Sequence, residues 1–226
     1  AGQLSALPNF LRRISVRSGD RAQLTAAQSG MWIAQQLDRA NSTFLTGQYI
    51  ELIGDIDVAR VQSSVNQAFA EAPELAARIT QDEDGVWQQP GASVLECRIE
   101  EATPEQALAD MRRILATPVD LTDAPGVGAT IYAVTPTSAY LFLWAHHVFL
   151  DVYGYTLLER RIAALYTAAT ADAQPPRARF GRIDAIVSAD DEYRGSDSFA
   201  ADRQFWAAEL VGVAESPTLA DTPPPA

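Results

Sequence analysis

Residues 139–145, Ala-Tyr-Leu-Phe-Leu-Trp-Ala, are apolar or aromatic at every position and lead straight into His146-His147. A strand with one wet face alternates apolar and polar side chains, so this run reads as a central strand covered on both faces. The preceding run VGATIYAV (127–134) reads as a second strand, joined to it by the turn TPTS. LTGQYIELIG (45–54) is a third, ARITQDEDGVWQQ (77–89) a hairpin turning at Asp84-Gly85, and VLECRIE (94–100) a further strand.

Helical patterns interleave with these strands. Thr25 caps the first, where Ala27, Met31, Ala34 and Leu37 recur at helical spacing. Asp57 caps the second, with Val58, Val61, Val65, Ala68 and Phe69 as its apolar stripe. PEQALADMRRILA (104–116) opens with Pro at a helix start, and Leu158, Ile162, Leu165, Tyr166 and Ala169 mark a helix after the histidines. Two more helices are expected at about 182–193 and 198–210, beyond a connector at 171–176. The fold class is therefore α/β (α+β), a mixed β-sheet layered with helices. The domain reading is a lead-in segment at 1–23, one lobe at 24–211 and a Pro-rich linker at 212–226.

Charge and composition narrow the function classes. The chain of 226 residues carries 17 basic side chains, all Arg, against 29 acidic ones, for a net charge of −12. That field repels phosphate backbones and anionic lipid surfaces, so neither nucleic acid nor a membrane is an expected partner. No apolar run approaches the ~18 residues of a membrane span, and the N-terminus lacks a secretory core, so a cytoplasmic location is expected. Cys97, the only cysteine, excludes a disulfide scaffold or thiolate cluster and reads as a small buried hydrophobe. Trp32 and Trp87 read as packing residues, Asp190-Asp191-Glu192 as a solvated helix face.

The chemistry gathers at the strand end. His146 and His147 are the only histidines; Asp151 follows four residues later, and a helix opens just after. Adjacent strand residues face opposite sides, so one imidazole can be buried while the other faces a cleft. An imidazole there can accept a proton or steer a nucleophile, and a helix N-terminus favours developing negative charge. Physics alone leaves an acid–base site and a hydrogen-bonded structural pair both open. Asp151 is too far along the turn to be taken as the partner of His147; pinning the turn through a buried Arg is an equal role for it. Histidines on opposite faces make a poor chelate, so no metal is expected.

HHVFLDVYG (146–154) resembles the HHxxxDG signature of condensation domains of nonribosomal peptide synthetases, in the chloramphenicol-acetyltransferase-like superfamily. LTAAQSGMW (24–32), YIELIGDID (49–57), PELAARITQDEDGVWQ (73–88), TPVDLTDAPGVGA (117–129) and RQFWAAEL (203–210) resemble other family segments in the right order. Within the family the chain also resembles the serine-module condensation domain of enterobactin synthetase. The resemblance implies a single chloramphenicol-acetyltransferase-like lobe that helps join a carrier-bound acyl or peptidyl thioester to the amine of a carrier-bound aminoacyl thioester. It implies His147 as the catalytic residue, His146 and Asp151 as supports of the loop, and Val152 and Gly154 as neighbours of the motif. It implies no bound cofactor, substrates carried on phosphopantetheine, and as partners two carrier proteins and a second lobe of similar size, whose motifs do not follow here.

Three positions depart from the family. Val152 replaces the motif glycine, a costly exchange if that position needs φ > 0. Glu71-Ala72-Pro73-Glu74-Leu75-Ala76 replaces an Arg-His-x-x-Leu-Arg segment, and Gly128 stands where many members carry an Arg that could pair with Asp151. Rival readings are a degenerate lobe that binds carrier proteins or scaffolds a synthetase, and an epimerisation domain. A trimeric acetyltransferase, with its single His, is more remote. Arg160-Arg161 read as an exposed pair, either a solvated face or a contact for an acidic carrier.

Overall fold

A computed structural model describes residues 21–91 and 94–213; most of the expected lead-in and nearly all of the expected linker lie outside them. The chain divides into two compact units between Val187 and Ser188.

In the first unit the all-apolar run is strand β7 (Ser138–His146), last in chain order of a four-stranded sheet's members β2 (Leu45–Ile53), β5 (Arg98–Glu101), β6 (Val127–Thr135) and β7. The spatial order is β2-β7-β6-β5. β7 is antiparallel to β2 and to β6, whereas β5 runs parallel to β6, so the sheet is mixed. Both edges of β7 are thus bonded. On one face Leu141, Leu143 and Ala145 join Val65, Phe69, Leu158 and Ile162 from helices α2 (Val58–Ala70) and α4 (Val152–Thr170). On the other, Phe142 packs with Tyr132 against Ala107 and Met111 of α3 (Pro104–Leu115). The two-sided burial expected of this strand is what the fold shows.

The helix starts follow from their caps. Thr25 accepts from Gln28 N–H while the Gln28 side chain accepts from Thr25 N–H, a reciprocal box that starts α1 (Ala26–Leu37). Thr103 and Gln106 repeat it on α3, and Asp57 caps α2. A second, three-stranded antiparallel sheet, order β1-β4-β3, consists of β1 (Ala22–Gln23), β3 (Arg78–Asp82) and β4 (Gly85–Gln89). Leu24, Trp32, Ile79, Leu121 and Val148 form its core with α1 and the loop that follows β7. The second unit contains the rest of α5 (Ile183–Arg194), which crosses the boundary, and α6 (Asp197–Glu209), with Phe205, Trp206 and Leu210 exposed.

Three local expectations need correction. The hairpin turns at Glu83-Asp84, and Gly85 with φ +148° is the first residue of β4, because Asp82 Oδ1 accepts from Asp84 N–H, Gly85 N–H and the Trp87 indole and so closes the turn one residue earlier. The strand expected at 94–100 begins only at Arg98. Leu95 and Cys97 are drawn into the core, and the Cys97 backbone bonds Asn66 Oδ1 and Gln62 Nε2 of α2 instead of β6. Burial pushes the Cys97 thiol up to about 12, which leaves it an inert core side chain.

Arg160 is exposed as expected, but Arg161 turns inward. Its guanidinium grips both Glu71 oxygens, at 2.5 and 2.7 Å, and also donates to the Pro176 carbonyl. Glu71 caps the C-terminus of α2, so the pair ties α2 to α4 across the sheet face. The Arg161 hydrogen bond holds the Glu71 carboxyl below its ordinary 4.5. Glu71→Ala strands a buried cation and should destabilise the fold by about 3 kcal/mol in urea titration. Since the folded-state pKa is lowered, this contribution is present above pH 4.5 and fades below it. The stability gap between wild type and Glu71→Gln should therefore narrow as pH drops from 5 to 3.

Candidate functional site

β7 delivers both histidines to one end of the sheet, and its neighbours pin them there. His146 N–H donates to the Gly126 carbonyl at 2.6 Å, just before β6, and His147 N–H donates to the Phe44 carbonyl at 2.8 Å, just before β2. The chain then turns, with Phe149 N–H donating back to the His146 carbonyl at 2.9 Å, and α4 begins at Val152.

The two imidazoles have opposite fates. His146 is 1% exposed, with its ring 5.8 Å from that of Phe44. Its Nδ1 accepts from Val148 N–H at 3.2 Å, which puts the proton on Nε2 and makes Nε2 the donor to Gln35 Oε1 at 3.3 Å. Burial, with the neighbouring His147, pushes its pKa from 6.5 down to about 4. A ring with both nitrogens engaged has no lone pair left for a metal. His147 is half-buried, its Nδ1 is buried, and its ring forms no hydrogen bond to the described residues. It is the imidazole of the pair with capacity left for a substrate.

Asp151 does neither of the two things weighed for it. Its Oδ1 accepts from Gly154 N–H at 2.7 Å as the N-cap of α4. It is exposed and forms no ion pair among the described residues. The place of a partner Arg is closed: Gly128 lies opposite Trp144, and a Cβ there would sit 2.6 Å from the indole. Val152 is the first residue of α4, 77% exposed, and the only positive-φ non-glycine described is Asp172. The feared backbone strain at Val152 is absent. Gly154 is the position with a steric demand, since a Cβ would meet Leu150 Cδ1 at 2.6 Å.

Sequence reasoning missed the amides that hold this loop. Gln35, 6% exposed, donates from Nε2 to the Asp38 and Asn41 carbonyls while receiving His146. Gln28 Nε2 donates to the Val148 carbonyl at 3.0 Å, and Gln28 and Gln88 exchange hydrogen bonds. A signal existed: Gln28, Trp32 and Gln35 fall at i, i+4 and i+7 on one face of α1, so two amides share the stripe of a core Trp. Trp32 itself is 5% exposed, the packing role expected of it.

Two measurements check this geometry. Because the His146 pKa is lowered, its contribution is intact above about pH 6.5 and is lost as pH falls towards 4, where the folded state also protonates. Urea midpoints should drop between pH 7 and 4.5 by an amount worth up to about 3 kcal/mol, and His146→Leu should flatten that slope. Gly128→Ala should displace the Trp144 indole and cost about 1–3 kcal/mol in the same assay.

Comparison with known proteins adds an independent finding. The family model described as a condensation domain matches residues 18–226. The dimodular nonribosomal peptide synthase of Bacillus subtilis is 34% identical over 207 residues, covering 89% of this chain and 9% of that protein. Enterobactin synthase component F of Escherichia coli O157:H7 is 28% identical over 211 residues, 88% of this chain and 16% of that protein, so the enterobactin likeness holds at lower identity. Among solved structures, a mutant of the starter condensation domain of rhizomide synthetase in complex with C8-CoA superimposes with a TM-score of 0.84 at 28% identity. It covers 89% of this chain and 48% of that one. The chain thus spans about half of that solved domain and under a fifth of these two synthetases.

Proposed function

Because this chain belongs to the condensation-domain family of nonribosomal peptide synthetases, we propose that it is the N-terminal lobe, residues 24–211 with a linker at 212–226, of an amide-forming condensation domain. Its substrates are an acyl or peptidyl thioester on a donor carrier protein and an aminoacyl thioester on an acceptor carrier, both on phosphopantetheine arms. The amine attacks the thioester carbonyl, a C–N bond forms, the C–S bond breaks, and the donor's pantetheine thiol leaves.

One observation carries this reading: of two adjacent imidazoles, His146 is saturated by Gln35 and Val148, and the His147 ring at the strand end is bonded to none of the described residues. An unbonded imidazole beside the amine can orient it and accept the proton it loses on attack. His146, Asp151 and Gly154 serve the loop: the first as its buried hub, the second as the helix cap, the third as the close contact for Leu150. Transfer needs both substrates held in line, which a single lobe does not pre-organise; a second lobe, of the length the solved relative has beyond this match, completes the tunnel. The acidic charge and single buried cysteine accord with a cytoplasmic setting, and no described helix is long and apolar enough to cross a membrane.

The test is amide formation by the protein that carries this lobe together with its second lobe and loaded carriers. His147→Ala should lower the rate by about 10²–10⁴. Unchanged turnover overturns the assignment. A second reading, a lobe that binds carriers without turnover, draws on Asp151 lacking the ion pair that an Arg at position 128 could supply. It predicts carrier binding that His147→Ala leaves intact and no product even with both lobes present.

A further inference from the structure

The backbone of His147 is held far more firmly than its ring. The peptide plane before it carries His147 N–H, bonded to the Phe44 carbonyl at 2.8 Å. The plane after it carries Val148 N–H, bonded to His146 Nδ1 at 3.2 Å. With both flanking planes fixed, φ and ψ of His147 are set, and so is the direction of its Cβ. The next plane is fixed as well, by Gln28 Nε2 on the Val148 carbonyl at 3.0 Å and by Phe149 N–H on the His146 carbonyl at 2.9 Å. The Val148 side chain, 3% exposed, is anchored between Trp32, Ile79 and Leu121.

The two restraints on Val148, at its N–H and at its carbonyl, trace to amides on α1. Gln35 Oε1 accepts a hydrogen bond from His146 Nε2–H, and its own Nε2 is spent on the Asp38 and Asn41 carbonyls, so the amide cannot flip without losing all three bonds. The His146 ring is thereby held in the orientation that receives Val148 N–H. Gln28 is locked in turn, its Oε1 accepting from Thr25 N–H and from Gln88 Nε2. Gln88 is 5% exposed and also bonds the Gln23 carbonyl.

We infer that Gln28 and Gln35 are positioning residues for the reaction, which aim the His147 imidazole by clamping the Val148 peptide from both sides without touching His147. The small sheet and α1 then have a purpose beyond burial: they brace the loop so that the His147 ring, with no hydrogen bond to the described residues, still points one way. The inference rests on the reading of His147 as the group that meets the amine, and its primary test does not use turnover.

The chain holds two histidines only, so the imidazole signals of the ¹⁵N-labelled protein belong to His146 and His147 alone. In the wild type His146 is expected as the Nε2–H tautomer, and His147 as one sharp set of ring signals. Gln28→Met and Gln35→Met, each apolar and close in size, should leave the fold in place by circular dichroism while shifting or exchange-broadening the His147 ring signals. A folded variant with unmoved His147 signals overturns the clamp. Should either variant fail to fold, the wild-type spectrum still decides, since an Nδ1–H tautomer at His146 is incompatible with it. In the two-lobe protein Gln28→Met should lower kcat about tenfold to a hundredfold with KM unchanged. If His147→Ala leaves turnover intact there, the catalytic reading fails while the spectra still judge the clamp on their own.

Discussion

Everything in the first unit is arranged around β7, a strand bonded on both edges and covered on both faces. Such a strand has no freedom to shift register, because a one-residue slip would exchange Leu141, Leu143 and Ala145 with Phe142 and Trp144 between two different cores. Its last residue is consequently one of the best-placed points in the chain. The histidine pair begins there, and the strands on either side reach just far enough to bond both of its backbone N–H groups.

Polar groups near that point are satisfied locally. His146 is fully buried and neutral, which its environment permits because a backbone N–H and a glutamine carbonyl saturate its two nitrogens. Asp151 is used up as a helix cap, and Glu71, in a segment where the family is basic, turns to Arg161 and ties two helices together. The indole of Trp144 lies over Gly128. At two of the departures from the family pattern, Glu71 and Gly128, the changed residue has a partner or a packing role within this chain. His147 is left as the polar side chain of the motif with unspent capacity.

Much of this was legible beforehand. Capped helices announced themselves through Thr25 and Asp57, because an N-cap is a contact between residues three apart and needs no tertiary context. The central strand was visible in its unbroken apolar run. Less legible were features that depend on what approaches from elsewhere in the chain. Arg161 looks like its neighbour Arg160 in sequence, yet only Arg161 lies on the α4 face that meets Glu71, 90 residues away. The strand expected at 94–100 was shortened because Asn66 and Gln62 competed for its backbone. Concern over Val152 came from its place in a motif, whereas its conformation is that of an ordinary first helical turn.

The sequence by itself determined the layered mixed sheet, the strand at its centre and the place of the histidine pair at that strand's end. Those follow from periodicity and from chemistry within a few residues. Which histidine is occupied and which is open was decided by the tertiary structure alone. The two are adjacent and identical as residues, and they differ only in that Gln35 and the turn at Val148 close around one ring, while no described group bonds the other.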